Sequence, residues 1–247
     1  MGLAALFGHG RGTHHAFPIN RKVWAPPQPA VLFDVDGTLV DSNFHHVVAW
    51  HHAFLDVGME VPCWRRLGLI GRSGSELVRL LLGDDLADAQ GSHVEKLHTK
   101  YFVDSAPLVR RLPGARELLE AVAERGWRAV LATSAGEEEL AVLRSALDAD
   151  DFVCAVTSAA DADRAKPHPD IVAIALQRIE ADPAEAIFLG DAVWDVLAAQ
   201  RAGVPAAAVL SGGITREALE EAGAVAIDDG PSDVLAHIDE FCQLVGM

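Results

Sequence analysis

Ala30-Val31-Leu32-Phe33-Asp34-Val35-Asp36-Gly37-Thr38-Leu39 is the stretch on which the reading of this chain turns. An apolar run bounded by turn formers reads as a strand buried on both faces, which places Asp34 near its C-terminal end. Two carboxylates one residue apart repel each other. A fold keeps such a pair only with a cation, a shared proton or a hydrogen-bonding cradle to compensate. Gly37 then lets the backbone turn sharply away. Taken alone, the motif also admits a plainer reading, an Asx-type turn closing a strand.

The same grammar recurs downstream. Ala129-Val130-Leu131-Ala132 runs into Thr133-Ser134, and Ala186-Ile187-Phe188-Leu189-Gly190 runs into Asp191, with Asp195 following at the start of a helical pattern. Between them, Lys166-Pro167-His168-Pro169-Asp170 opens an amphipathic helix. In a parallel sheet the C-terminal strand ends share one edge, so Asp34, Thr133 and Asp191 would meet there despite their separation in sequence.

Outward from these motifs, apolar periodicity predicts helices over about 115–125, 137–147, 169–180, 194–202 and 215–222 and from 232. Strands are expected up to Thr133 and over 152–157, 186–190, 206–210 and 224–227. Asp182-Pro183 supplies an N-cap and N1 proline before the fourth motif. The alternation predicts an α/β fold with a doubly wound, Rossmann-like parallel sheet.

Residues 43–109 interrupt the alternation with helical pattern only. Phe44, Val47, Val48, His51, Phe54 and Leu55 are expected to form one buried helix face, Ser73-Gly74-Ser75-Glu76 is a capping-box signature, and a third helix is expected over 84–102. The expected organisation is a core of residues 30–42 and 110–247, a helical insertion over 43–109 after the first strand, and a mobile extension over residues 1–29. That extension is rich in glycine, histidine and proline and lacks apolar periodicity.

Composition narrows the function. The net charge of −16 argues against a nucleic-acid partner, which needs clustered lysine and arginine. It leaves room for a small phosphorylated ligand, because local cations set the field in a cleft. No apolar run approaches the roughly 20 residues needed to span a bilayer, so no membrane association is expected. Cys63, Cys154 and Cys242 are widely separated with no CxxC pair, which fits buried thiols in a reducing cytoplasm. His45, His46, His51 and His52 contain no i,i+4 pair, and structural or surface roles are expected for them. The role of His168 is open.

In order and register, Asp34-x-Asp36-Gly37-Thr38, Thr133, Lys166-Pro167 and Gly190-Asp191-x-x-x-Asp195 resemble the haloacid dehalogenase superfamily, in its phosphatase-like members with an inserted helical cap. The resemblance implies that Asp34 is a nucleophile forming an aspartyl-phosphate and Asp36 a general acid and then base. It implies Mg²⁺ as cofactor, held by the Asp34 side chain, the Asp36 carbonyl and Asp191. Asp195 would either support the metal through water or hold Lys166. Thr133 and Lys166 would bind the transferring phosphoryl group. Ser134 would join them or serve only as a helix N-cap with Glu137. Arg72, in the loop Ile70-Gly71-Arg72-Ser73, would pair with a carboxylate or second phosphate of the substrate, or lie on the surface.

The expected activity is a Mg²⁺-dependent phosphatase acting on a small cytoplasmic phosphate monoester, of phosphoglycolate or sugar-phosphate type. A sugar phosphomutase using the same residues is the enzymatic alternative. A non-catalytic phosphate-binding or regulatory module is the alternative of another class.

Overall fold

The computed structural model describes residues 28–245. The extension expected over residues 1–29 therefore lies, for its first 27 residues, outside the described part. Gln28 and Pro29 are fixed: the carbonyl of Pro29 accepts from Arg128 N at 2.9 Å, and that of Gln28 accepts from the Arg128 guanidinium.

The chain opens with β1 (Ala30–Phe33) and a two-residue strand β2 (Val40–Asp41), then passes into helices α1 (Asn43–Asp56), α2 (Cys63–Leu67), α3 (Gly74–Leu82) and α4 (Asp84–Asp104). A short β3 (Arg110–Arg111) pairs antiparallel with β2, so the way into the helical segment and the way out are tied together. The alternation then resumes with α5 (Ala115–Glu124), β4 (Arg128–Ala132), α6 (Glu137–Leu147), β5 (Val153–Thr157), α7 (Asp170–Ile179), β6 (Ala186–Gly190), α8 (Val193–Arg201), β7 (Ala206–Val209), α9 (Arg216–Ala222) and β8 (Ala226–Asp228). The single last helix expected from residue 232 is two short ones, α10 (Pro231–Ala236) and α11 (Ile238–Cys242).

Six parallel strands form one sheet in the order β5-β4-β1-β6-β7-β8. From β1 the chain builds outward first through β4 and β5, then on the other side through β6, β7 and β8. The crevice beyond the C-terminal end of β1 is thus a topological switch point, where such sheets bind ligands. Phe33 is in register with Leu131 on one side and Leu189 on the other, and Asp34 N donates to Leu189 O at 2.9 Å. Residues following all three strands therefore emerge at one level.

Both faces of the sheet are covered, as the apolar strands require. Val31 and Phe33 pack into a core with α5 and α6, whereas Ala30 and Leu32 pack into another with α7, α8 and α9, following the two-residue alternation of a strand. The helices between β2 and β3 have a further core in which Trp50, Ala53 and Phe54 of α1 meet Leu77 and Val78 of α3 and Val94 of α4.

The buried face of α1 differs from expectation. Asn43, His46, Val47, Ala49, Trp50, Ala53 and Phe54 are buried, whereas Phe44, Val48 and Leu55 are exposed. A helix with apolar residues on more than one side does not reveal by periodicity alone which stripe will be covered. The three cysteines are free, but Cys63 is exposed rather than buried.

Candidate active site

At the C-terminal end of β1, Asp34 is buried, and its Oδ1 accepts from Lys166 Nζ at 2.6 Å. The same ammonium lies 2.8 Å from Asp195 Oδ1. Lys166 is wholly enclosed. Burial works against its charge, but Asp195 and Asp34 more than offset that and shift its pKa upward. For Asp34, burial dominates over the attraction of Lys166 and, with Asp195 and Asp36 nearby, pushes the carboxyl up to about 7. One ammonium does not compensate this much buried negative charge.

Asp191 follows β6 as the register requires. It accepts from Thr38 Oγ1 at 3.2 Å and from Asn43 Nδ2 at 2.8 Å, while Asn43 Nδ2 also reaches Gly212 O at 3.1 Å. Burial, then Asp195 and Asp34, raise its pKa well above the ordinary carboxylate range. Gly212 has to be glycine for a local reason: a Cβ there would overlap the Asp191 carboxylate. Asp195 Oδ2 accepts from the backbone N–H groups of Asp191 and Ala192 at 3.2 and 3.0 Å, which fixes the turn into α8. Asp34, Asp191 and Asp195 each present an oxygen within 4.8 Å of the others. Three buried hard oxygen donors with one buried cation suit a divalent ion such as Mg²⁺.

Asp36 stands beside this cluster with Oδ1 held twice, by Ser42 Oγ at 2.6 Å and by His46 Nε2 at 2.9 Å. Among the described residues nothing bonds its Oδ2. A cavity of about 400 Å³ opens over the site, lined in part by Asp34, Asp36, Thr133, Ser134, Lys166 and Arg72. Thr133 Oγ1 accepts from Ala135 N at 3.1 Å, which leaves the hydroxyl proton to donate.

Two of the expected residues sit in contacts that spacing does not show. Ser134 is no N-cap: α6 starts two residues later than that would require, with Gly136 as its cap and Gly136 N donating to Glu139 Oε2 at 3.2 Å, and Ser134 Oγ donates instead to Gly71 O at 3.2 Å. Arg72 is mostly covered. It donates to Glu76 Oε1 at 3.0 Å and lies over the Trp194 ring at 3.8 Å. Ser73 does cap α3 by accepting from Glu76 N at 3.3 Å.

Sequence reasoning missed Asn43 and His46. His46 was expected in a structural or surface role, yet it is buried, stacked on Phe102 and bonded to Asp36. Its available signal was its position ten residues after Asp36, on the first helix beyond the motif. His51 approaches Arg66, His52 lies against Tyr101, and His168 is partly covered with its backbone N–H on Ala165 O.

Comparisons with known proteins agree with this geometry. A family model described as haloacid dehalogenase-like hydrolase matches residues 29–203. The chain is 29% identical to the probable phosphatase IndB of Dickeya dadantii (strain 3937) over 223 residues, 88% of this chain and 96% of the relative. It is also 29% identical to a plasmid-encoded phosphoglycolate phosphatase of Cupriavidus necator, over 75% of this chain and 82% of that protein. The crystal structure of a hydrolase from Pseudomonas syringae superposes with a TM-score of 0.82 at 33% identity, covering 86% of this chain and 99% of that one.

Proposed function

The chain belongs to the haloacid dehalogenase-like hydrolases, and on that premise we propose that it is a Mg²⁺-dependent phosphatase acting on a small phosphate monoester. Asp34 attacks phosphorus, a P–O bond to Asp34 forms, and the bond to the leaving oxygen breaks with its electron pair on that oxygen. Asp36 protonates it. Asp36 then takes a proton from water as that water displaces Asp34, which splits one hard displacement into two easier ones.

The observation that carries this reading is the division of surroundings between the two aspartates. Asp34 is buried against Lys166, as a nucleophile fixed beside a phosphoryl-binding cation would be, whereas Asp36 lines the cavity and, among the described residues, has bonds to Oδ1 only, which leaves Oδ2 for the proton an acid needs. Thr133 donates its hydroxyl proton to a phosphoryl oxygen, and Lys166 steadies the same group.

Asp34, Asp191 and the Asp36 carbonyl would hold Mg²⁺. Asp195 would act mainly through Lys166 and the backbone, since both of its oxygens already have partners. A divalent ion bound there supplies charge neutralisation between carboxylate and phosphate anions.

The helices α1–α4 act as the cap that closes the cavity, and its lining favours a neutral, hydroxyl-bearing leaving group over a carboxylate. Beyond Lys166, Arg72 is the one lysine or arginine among the described lining residues, and it is already bonded to Glu76, whereas Glu95, Glu139 and Asp163 add negative charge. Sugar phosphates therefore fit better than phosphoglycolate. The test is Mg²⁺-dependent phosphate release across a panel of phosphorylated metabolites. Asp34→Asn should abolish turnover while keeping the fold, and substantial residual activity would refute the nucleophile.

A further inference from the structure

From Asp36 a line of hydrogen bonds runs through three more side chains. His46 Nε2 meets Asp36 Oδ1 at 2.9 Å, His46 Nδ1 meets His98 Nε2 at 3.0 Å, and His98 Nδ1 meets Glu139 Oε1 at 3.2 Å. All three side chains belong to buried residues, and they come from α1, α4 and α6. Stacking holds both rings in place: His46 lies on Phe102 and His98 on Trp50, each with centroids 3.9 Å apart.

The direction of these bonds follows from their far end. Burial works against the Glu139 charge, but His98 and Thr99 win and hold its carboxyl at about 2, so it is ionised and can only accept. Its other bonds agree, from Thr99 Oγ1 at 2.8 Å and Gly136 N at 3.2 Å. His98 Nδ1 must therefore carry hydrogen. Burial keeps the His98 ring neutral, which leaves Nε2 as an acceptor and requires His46 Nδ1 to donate. If both rings were neutral they would supply only two of the three hydrogens needed. The third is shared between His46 Nε2 and Asp36 Oδ1.

We propose that His98 and Glu139 are positioning residues for proton transfer at Asp36. Glu139 sets the tautomer of His98, His98 sets that of His46, and His46 offers Asp36 a bond whose hydrogen can sit at either end. The proposal rests on Asp36 being the acid and base of a phosphatase. When Asp36 gives a proton carried on Oδ2, that O–H bond breaks as the leaving-group O–H bond forms, and the separate hydrogen shared with His46, drawn toward Nε2, faces the carboxylate left behind at Oδ1. The chain crosses from α1 and α4 to α6, so it is complete only with those helices docked.

The test compares two esters in Glu139→Gln, which keeps shape but can no longer impose the charge. For p-nitrophenyl phosphate the leaving group needs no proton, whereas an alkyl phosphate does. Expected is a loss in kcat/KM of about 10- to 100-fold on the alkyl ester, the usual range for losing an orienting partner, with the aryl ester within about twofold. An equal loss on both, or none on the alkyl ester, overturns the proposal. If Glu139→Gln does not fold, His98→Phe keeps the stack on Trp50 and makes the same comparison. Imidazole ¹⁵N shifts give a readout without turnover: His98 in the wild-type chain should be protonated at Nδ1, and protonation at Nε2 alone overturns the proposal even if the chain hydrolyses neither ester and the phosphatase reading falls.

Discussion

Lys166 Nζ donates to Asp34 Oδ1 across 2.6 Å, between two buried side chains at the floor of the cavity. A buried ion pair of this kind contributes less than its short distance suggests, because both groups lose their hydration, but removing one partner strands the other. Lys166→Met should lower unfolding free energy by about 3 kcal/mol, read by urea denaturation. It should also lower kcat by about 10²–10³, the scale for losing a charge that stabilises the transition state. A variant as active as the parent would show that the ammonium does not touch the phosphoryl group.

In the metal-free protein, burial makes the charge of Asp191 costly. Burial, Asp195 and Asp34 all raise its pKa, and its hydrogen bonds from Asn43 and Thr38 only partly answer them. In chelator, Asp191→Asn should therefore melt at a higher temperature than the parent. With Mg²⁺ the order should reverse, because the parent gains binding energy that the variant has lost. Thermal melts with and without Mg²⁺ check both arms, and an unchanged order would remove Asp191 from the metal site.

Most of the sheet was legible because its signal is local. Ala30–Phe33 and Ala186–Gly190 are apolar throughout, and a buried parallel strand can be little else. Asp34, Thr133 and Asp191 could be expected together because parallel strands bring their C-terminal ends to one edge, whereas Lys166, in the loop between β5 and α7, was expected there only from the family resemblance. His98 and Glu139 were not legible. One lies mid-helix on α4 and the other in the first turn of α6, and only the docking of those helices makes them neighbours. The face of α1 was misread for a related reason: Phe44 and Val48 look like core until the tertiary fold covers His46 and Trp50 instead.

The depressed Glu139 carboxyl gives a stability signature with a definite sign. Its folded pKa is about 2 against an ordinary 4.5, so its contribution is fully present above about pH 4.5. As pH falls from there toward 2, the unfolded chain takes up the proton before the folded one does, and stability is lost. The full effect is at most about 3 kcal/mol. Melts between pH 6 and 3 should show the parent losing stability faster than Glu139→Gln, and parallel curves would mean that the carboxyl titrates normally.

Arg72 joins the loop before α3 to the sheet rather than lying free on the surface. Its guanidinium covers Trp194, at the start of α8, while the neighbouring Gly71 carbonyl accepts from Ser134 after β4. A flat guanidinium can stack on an indole and still bond Glu76 in its own plane, which a lysine cannot do equally well. A partly desolvated contact of this type is worth about 1–2 kcal/mol. If its work is to dock the loop, Arg72→Ala should raise KM about tenfold, Arg72→Lys should fall between, and Trp194→Leu should reproduce the alanine effect. Steady-state kinetics on one good substrate decide the matter. A rise in KM for Arg72→Ala with none for Trp194→Leu would mean that the guanidinium binds substrate directly, because then the indole beneath it would be dispensable.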